Sequence, residues 1–322
     1  MKTLLIEDKL YRKICSEINE NILKITKSKR AIINQSVEDL INGGGKKLRP
    51  FLMFLAASFG NYDKEKMLQL GSGIELLHMA SLVHDDIIDN AELRRGRETA
   101  QRRFGKKEAV FIGDFLLSRT FDIFFNYLDK KVLRKMNKNV RLLCEGEIEQ
   151  SEKRFDFQIG IRDYYRRIRH KTALLFALSS YLGAHESGIR GKKLNLLYKL
   201  GLEIGMAFQI QDDLLDFEGD EEDTGKMLAQ DLKEGVITLP VILLLNKDHY
   251  RSKYADYNKT VLDDKIVNEI IVDVKNSGVL TESRQILMVF IDRVNKYLTQ
   301  LPDNKAKNKL KKLIEVQVKR KF

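Results

Sequence analysis

The chain has 322 residues, of which 43% are hydrophobic and 32% charged, enough apolar material for a sizeable core and too much for a disordered polymer. Only 3 prolines occur, against a usual level of about 5%, which suits long uninterrupted helices better than many short strands, so the expected class is all-α. The formal net charge of +11 raises nucleic acid or an anionic surface as partners and decides nothing by itself.

At the N-terminus, Leu4-Leu5-Ile6 runs straight into Glu7-Asp8, too short for the core of a secretory signal, and a cytoplasmic location is expected. Cys15 and Cys144 match no CxxC or metal-ligand spacing and read as incidental thiols without a structural disulfide. Gly43-Gly44-Gly45 breaks the first helical stretch, and Pro50 suits the opening turn of the next. Leu70–Ile88 is apolar nearly all round, as a helix covered by neighbours must be. The longest uncharged apolar stretch, Thr172–His185, has 14 residues against about 20 needed to span a bilayer. Leu200–Phe217 is a second all-round apolar helix, with Gly201 and Gly205 one turn apart for close helix approach. The tail Asp303–Phe322 carries eight Lys/Arg and two acids, and reads as the solvated face of a terminal helix whose Leu310, Leu313, Ile314 and Val318 point inward. With no internal repeat and no Pro/Gly/Ser-rich linker, one domain over residues 1–322 is expected.

Both apolar helices end in the same acidic group: Asp85-Asp86-Ile87-Ile88-Asp89 and Asp212-Asp213-Leu214-Leu215-Asp216. Positions i and i+4 share a helix face, so Asp85 with Asp89, and Asp212 with Asp216, can each share a cation. A helix C-terminus is an unfavourable place for negative charge, and carboxylates on apolar helices are costly without something positive between them. Mg²⁺, a hard cation that takes oxygen ligands, is the natural partner. Lys46-Lys47-Leu48-Arg49 before the first motif and Arg94-Arg95-Gly96-Arg97 after it supply the cations a diphosphate needs. The glycine run is not a P-loop, since no Ser/Thr follows a G-x-x-x-x-G-K pattern. His78, two turns before Asp85, can donate to a second anion.

At this point the sequence resembles the trans-polyprenyl diphosphate synthases, through Gly44–Pro50, His78–Gly96, Gly113–Leu117, Lys171-Thr172, Phe208–Asp216, Gly225-Lys226 and Thr238–Pro240. The resemblance covers most of residues 40–240 and implies an all-α bundle of long helices around a deep cavity, the isoprenoid synthase fold, active as a dimer. It implies Mg²⁺, about three ions per active site, on Asp85, Asp89 and Asp212 with support from Asp86, Asp213 and Asp216. It further implies allylic-diphosphate contacts from Arg94, Lys171 and Lys226, and an isopentenyl diphosphate site of Lys46, Arg49, His78 and Arg95. Thr172, Phe208 and Gln209 would line the reacting carbons, which makes Asp85, Asp86, Asp89, Lys171, Gln209 and Asp212 the catalytic set. Where the family often reads Glu-Gly-Lys-x-Thr, this chain reads Glu234-Gly235-Val236-Ile237-Thr238, one cation fewer.

Leu77, Ala80 and Ser81, just before the first motif, are the chain-length positions; the last two are small where short-product members tend to carry bulky aromatics. A cavity alongside twenty helical residues is about 30 Å long and takes about six to eight isoprene units. The expected product is thus a long-chain all-trans polyprenyl diphosphate of about C30–C40, of the sort used for quinone side chains. The string His78–Asp86 and Val236 also resemble the large subunit of two-component hexaprenyl and heptaprenyl synthases, so a homodimer or a heterodimer with a small regulatory subunit is expected. A farnesyl or geranylgeranyl diphosphate synthase is the alternative. An HD-type metal phosphohydrolase needs more histidine ligands than five His offer, and a basic nucleic-acid-binding protein needs no duplicated aspartates, so no nucleic acid and at most peripheral membrane contact by the tail are expected.

Overall fold

The computed structural model describes residues 8–218 and 228–318. They form two compact units, one of residues 8–136 with 179–194 and the other of 137–178 with 195–218 and 228–318. The boundary falls inside helices, not at a linker. Among the described residues the only strands are a two-residue pair, so the fold is all-α as expected. No helix among them is long and apolar enough to cross a membrane.

In the first unit, α1 (Lys9–Ile25) starts where the Asp8 carboxylate accepts from the backbone N–H of Leu10 and Tyr11, and buries Tyr11, Ile14, Ile18 and Ile22 at helical spacing. After α2 (Ala31–Asn42) the glycine break turns the chain with Gly44 and Lys47 both at positive φ, and α3 (Leu48–Ala57) follows with Pro50 in its first turn. α4 (Lys64–Ile88) begins six residues ahead of the apolar run, because the Asp63 carboxylate caps the backbone N–H of Glu65 and Lys66. β1 (Leu93–Arg94) and β2 (Arg97–Glu98) pair antiparallel about Arg95 and Gly96, both at positive φ, a turn that suits the twist of a tight hairpin. α5 (Ala100–Phe104) leads into α6 (Lys106–Tyr127), which lies close along α4. Two glycines set that approach: a Cβ on Gly73 would stand 2.8 Å from the Phe124 ring, and one on Gly113 would stand 2.2 Å from His84 Nε2.

The second unit holds most of α7 (Lys130–Glu152), then α8 (Ile161–Ile168), a π-turn at Arg169–Ala173, the start of α9 (Leu174–Glu186) and most of α10 (Gly191–Glu218). Gly205 lets α10 meet the π-turn, where a Cβ would come 2.5 Å from Ala173 Cα. Beyond lie α11 (Gln230–Lys233), α12 (Leu239–Leu245), α13 (Asp248–Lys253), α14 (Asp264–Asn276), α15 (Val279–Thr299) and α16 (Lys305–Val318). On α16, Leu310, Leu313 and Ile314 point inward as expected, while Val318's side chain lies outside the described residues. Lys307 departs from a solvated basic face: it is buried, with Nζ 2.9 Å from Leu301 O and 2.8 Å from Asp303. Cys15 and Cys144 are both free thiols.

Candidate active site

In the first unit the periodicity of α4 puts His78, Ser81 and Asp85 on one half-buried face, with Asp89 exposed at its end. Asp86 points elsewhere: its carboxylate is buried and accepts from Arg94 Nε at 2.7 Å. Burial pushes this carboxyl up, and Arg94 opposes the rise. The middle aspartate therefore anchors the hairpin that carries Arg94 and Arg95. The turn after the motif is held by residues the sequence did not single out. Gln101 Nε2 donates to Asp86 O at 2.6 Å and to Ala91 O at 2.8 Å, while Thr99 Oγ1 donates to Ala91 O at 2.7 Å. They join the backbone bond from Ala91 N–H to Asp86 O, 2.9 Å, in closing this turn.

Further back along α4 lies a second charged region. Glu75, fully enclosed in an otherwise apolar stretch, feels the charges of Lys47, Arg49 and Arg95. His78 is pushed well below its ordinary range, by burial first and then by Arg49, Arg95, Arg94 and Lys47, and is a neutral imidazole able to donate one N–H. Arg95 Nη1 donates to Gly44 O. The loop is also tied from α1, where Tyr11 Oη donates to Lys46 O at 2.5 Å and its ring meets Phe51 edge-on. Tyr11→Phe keeps the ring and removes the donor; with this loop as the isopentenyl diphosphate site that the resemblance implies, KM for that substrate is expected to rise several-fold with kcat nearly unchanged. Steady-state kinetics check this, and an equal loss in kcat would contradict it.

In the second unit the π-turn aims Lys171 and Thr172, as such bulges often do at functional sites. Lys171 Nζ lies 3.2 Å from Glu147 and 3.4 Å from Gln150 Oε1. Thr172 Oγ1 donates to Gln209 Oε1 at 2.7 Å, and Gln209 Nε2 donates to Asp213 Oδ1 at 2.9 Å. Tyr164 Oη donates to Asp213 Oδ2 at 2.8 Å. Phe208 lies against Phe176, ring centroids 5.3 Å apart. Asp216 takes backbone N–H bonds from Gln230 at 3.2 Å and Asp231 at 3.3 Å, starting α11, while Asp212 remains half-buried on the same face. Asp213 is pushed up to about 7 by burial and then by the charge of Asp231. Asp216 and Asp231 are likewise raised, by burial first. Lys226 lies outside the described residues.

Among the described residues no three His, Cys, Asp or Glu side chains already converge as a metal cage. The donor set nonetheless fits Mg²⁺. Its donors are hard carboxylate oxygens, and Asp213 and Asp216, raised by burial first, are raised further by the charge of Asp231, a repulsion that a divalent cation would relieve. Of the chain-length positions, Leu77 and Ala80 are buried, whereas Ser81 is half-buried on the face of His78 and Asp85.

A sequence profile of the family described as polyprenyl synthetase matches residues 30–273. Heptaprenyl diphosphate synthase component 2 of Geobacillus stearothermophilus is 36% identical over 296 residues, covering 92% of both chains. Octaprenyl diphosphate synthase of Escherichia coli is 32% identical over 307 residues, covering 94% of both chains. Among solved structures, heptaprenyl diphosphate synthase of Staphylococcus aureus superposes with a TM-score of 0.92 at 30% identity, covering 97% of this chain and 99% of the other.

Proposed function

The chain belongs to the polyprenyl synthetase family and is a prenyltransferase, and from that premise we propose how its residues lengthen an allylic diphosphate with isopentenyl diphosphate to a long-chain all-trans product. The observation that carries this reading is that each aspartate motif comes with cations: Asp86 accepts from Arg94 Nε at 2.7 Å, and the charge of Lys171 reaches Asp231, whose backbone N–H meets Asp216, while Asp85 and Asp212 lie half-buried and Asp89 exposed. Asp85, Asp89 and Asp212 would hold Mg²⁺, with Asp216 and Asp231 adding charge nearby. When bound, the metal supplies neutralisation of the leaving diphosphate.

The chain's own groups do the rest. Arg94 and Lys171 take phosphate oxygens of the allylic substrate, whose C–O bond breaks with the electron pair leaving on the diphosphate. Lys46, Arg49, Arg95 and neutral His78 hold isopentenyl diphosphate, whose double bond attacks the allylic cation. The proton lost after C–C bond formation goes to the departing diphosphate, since the raised carboxylates of the second motif are already taken up, Asp213 by Tyr164 Oη and Gln209 Nε2 and Asp216 by the backbone N–H of Gln230 and Asp231. Thr172, Gln209 and Phe208 shield the reacting carbons from water, which would quench the cation. Neither unit contains both aspartate motifs, and we read the two as one catalytic domain. No observation favours a short-chain synthase, a phosphohydrolase or a nucleic-acid-binding protein. Transfer of label from isopentenyl diphosphate into an extractable product, dependent on both primer and Mg²⁺, tests the reaction; label that stays in the aqueous phase contradicts it.

A partner subunit is part of the proposal. α6 exposes Val110, Phe111, Phe121 and Phe125, with Phe111 61% and Phe125 68% exposed, a lone-chain surface that suits a subunit contact. Two relatives are named component 2, which supports pairing with a second kind of subunit. Phe111→Glu with Phe125→Glu is expected to leave the purified chain monomeric by sedimentation, and an unchanged dimer would contradict the assignment.

A further inference from the structure

Glu75 is an odd residue to find here: a carboxylate, only 5% exposed, set beside Lys47 and beside Arg49 and Arg95, the two arginines read above as holding an anionic substrate. The open side of Gly45 locates it. A Cβ there would stand 3.6 Å from Glu75 Oε1, 3.7 Å from Arg95 Nη1 and 4.0 Å from Lys47 Nζ. One acid thus faces cations from the loop before α3, from α3 itself through Arg49, and from the hairpin turn. Of the other titratable groups around it, Tyr11 and Cys15 on α1 are held protonated by burial, Cys15 near 11, and His78 on its own helix is held neutral. Glu75 is thus the acid of this cluster, pushed up by burial while Lys47, Arg49 and Arg95 hold it down, and withdrawing those charges removes what favours its ionised form.

We propose that Glu75 is the internal counter-ion of the Lys47, Arg49 and Arg95 cluster, keeping these cations in place while the site is empty and taking up a proton from solvent when a diphosphate displaces it from them. The proposal rests on the reading of Arg49 and Arg95 as part of the isopentenyl diphosphate site, with Lys47 as their neighbour. Empty, three cations in a poorly solvated region repel one another unless an acid sits among them. Filled, the diphosphate takes over that role, and a second anion beside it is unfavourable unless neutralised. A carboxylate that yields its partners to substrate moderates affinity, which matters for an enzyme that must refill this site for every added unit.

The test is calorimetric titration of isopentenyl diphosphate into the full chain near pH 7, in buffers of different ionisation enthalpy, with wild type and Glu75→Gln. Wild type is expected to take up as much as about one proton more per bound ligand than the variant, and to lose affinity relative to it as pH rises from about 6 to 8. The sign follows from linkage: the bound state holds more protons, so binding weakens as protons become scarce. Equal proton uptake and affinities within about two-fold would overturn the counter-ion role and leave the site assignment standing. Absence of isopentenyl diphosphate binding to wild type would overturn the site assignment and the inference with it. Sulfate, which does not titrate near neutrality, repeats the measurement on wild type alone if Glu75→Gln does not fold. Proton uptake on sulfate binding in competition with isopentenyl diphosphate is expected, and binding without uptake overturns the proposal.

Discussion

Asp85→Ala and Asp212→Ala are each expected to lower kcat by about 10³-fold or more, the scale of losing a group that stabilises charge developing in a transition state, and about 4 kcal/mol of barrier. Isopentenyl diphosphate binding without metal is expected to stay near wild type, because Lys46, Arg49, Arg95 and His78 are untouched. Asp86→Asn acts differently, since Asp86 accepts from Arg94 Nε at 2.7 Å, and its loss lets the hairpin drift and raises KM along with lowering kcat. Labelled-substrate kinetics with calorimetry on the same preparations separate the two patterns. Retention of kcat within about 10-fold in either alanine variant would remove that aspartate from the metal-holding set.

The parts of this molecule that are local in sequence were legible before any coordinates. The i, i+4 spacing of each aspartate pair, the all-round apolar runs of α4 and α10, and the glycine break before α3 follow from helix periodicity and turn chemistry alone. Contacts made across long sequence separations were not legible. Tyr11 reaches Lys46 from 35 positions away, Tyr164 reaches Asp213 from 49, and Gln101 closes the turn behind Asp86. None of these residues carries a local pattern. Asp216 shows the same limit from the other side: the motif marks it as a ligand, yet its carboxylate takes the backbone N–H groups of Gln230 and Asp231, a turn built 14 and 15 residues later. Glu75 was hidden because a lone acid in an apolar helix reads as noise until the cations from three other segments surround it.

The second large effect is on product length. Ser81 lies one turn before Asp85, about 6 Å along the helix, on the same half-buried face. On the proposed reading, an aromatic ring there would block the path of a growing chain soon after it passes the carboxylates that would hold the metal. Ser81→Phe is therefore expected to shift the main product from about six to eight isoprene units to about three or four, with the first condensation little slowed. Ala80→Phe is a poorer probe, since Ala80 is fully buried and a ring there overpacks its neighbours at a cost of about 1–3 kcal/mol. Mass analysis of dephosphorylated products from the two variants checks both statements. An unchanged product distribution in Ser81→Phe would show that the chain grows along another face.

The most direct test of long-chain elongation is incubation of the purified chain with Mg²⁺, farnesyl diphosphate and labelled isopentenyl diphosphate, followed by chain-length analysis of the products, with and without the other component that the name of its component 2 relatives implies. Prenols of about C30–C40 in either arm are the predicted result. Products that stop at about C15–C20, or no elongation in both arms, would contradict it.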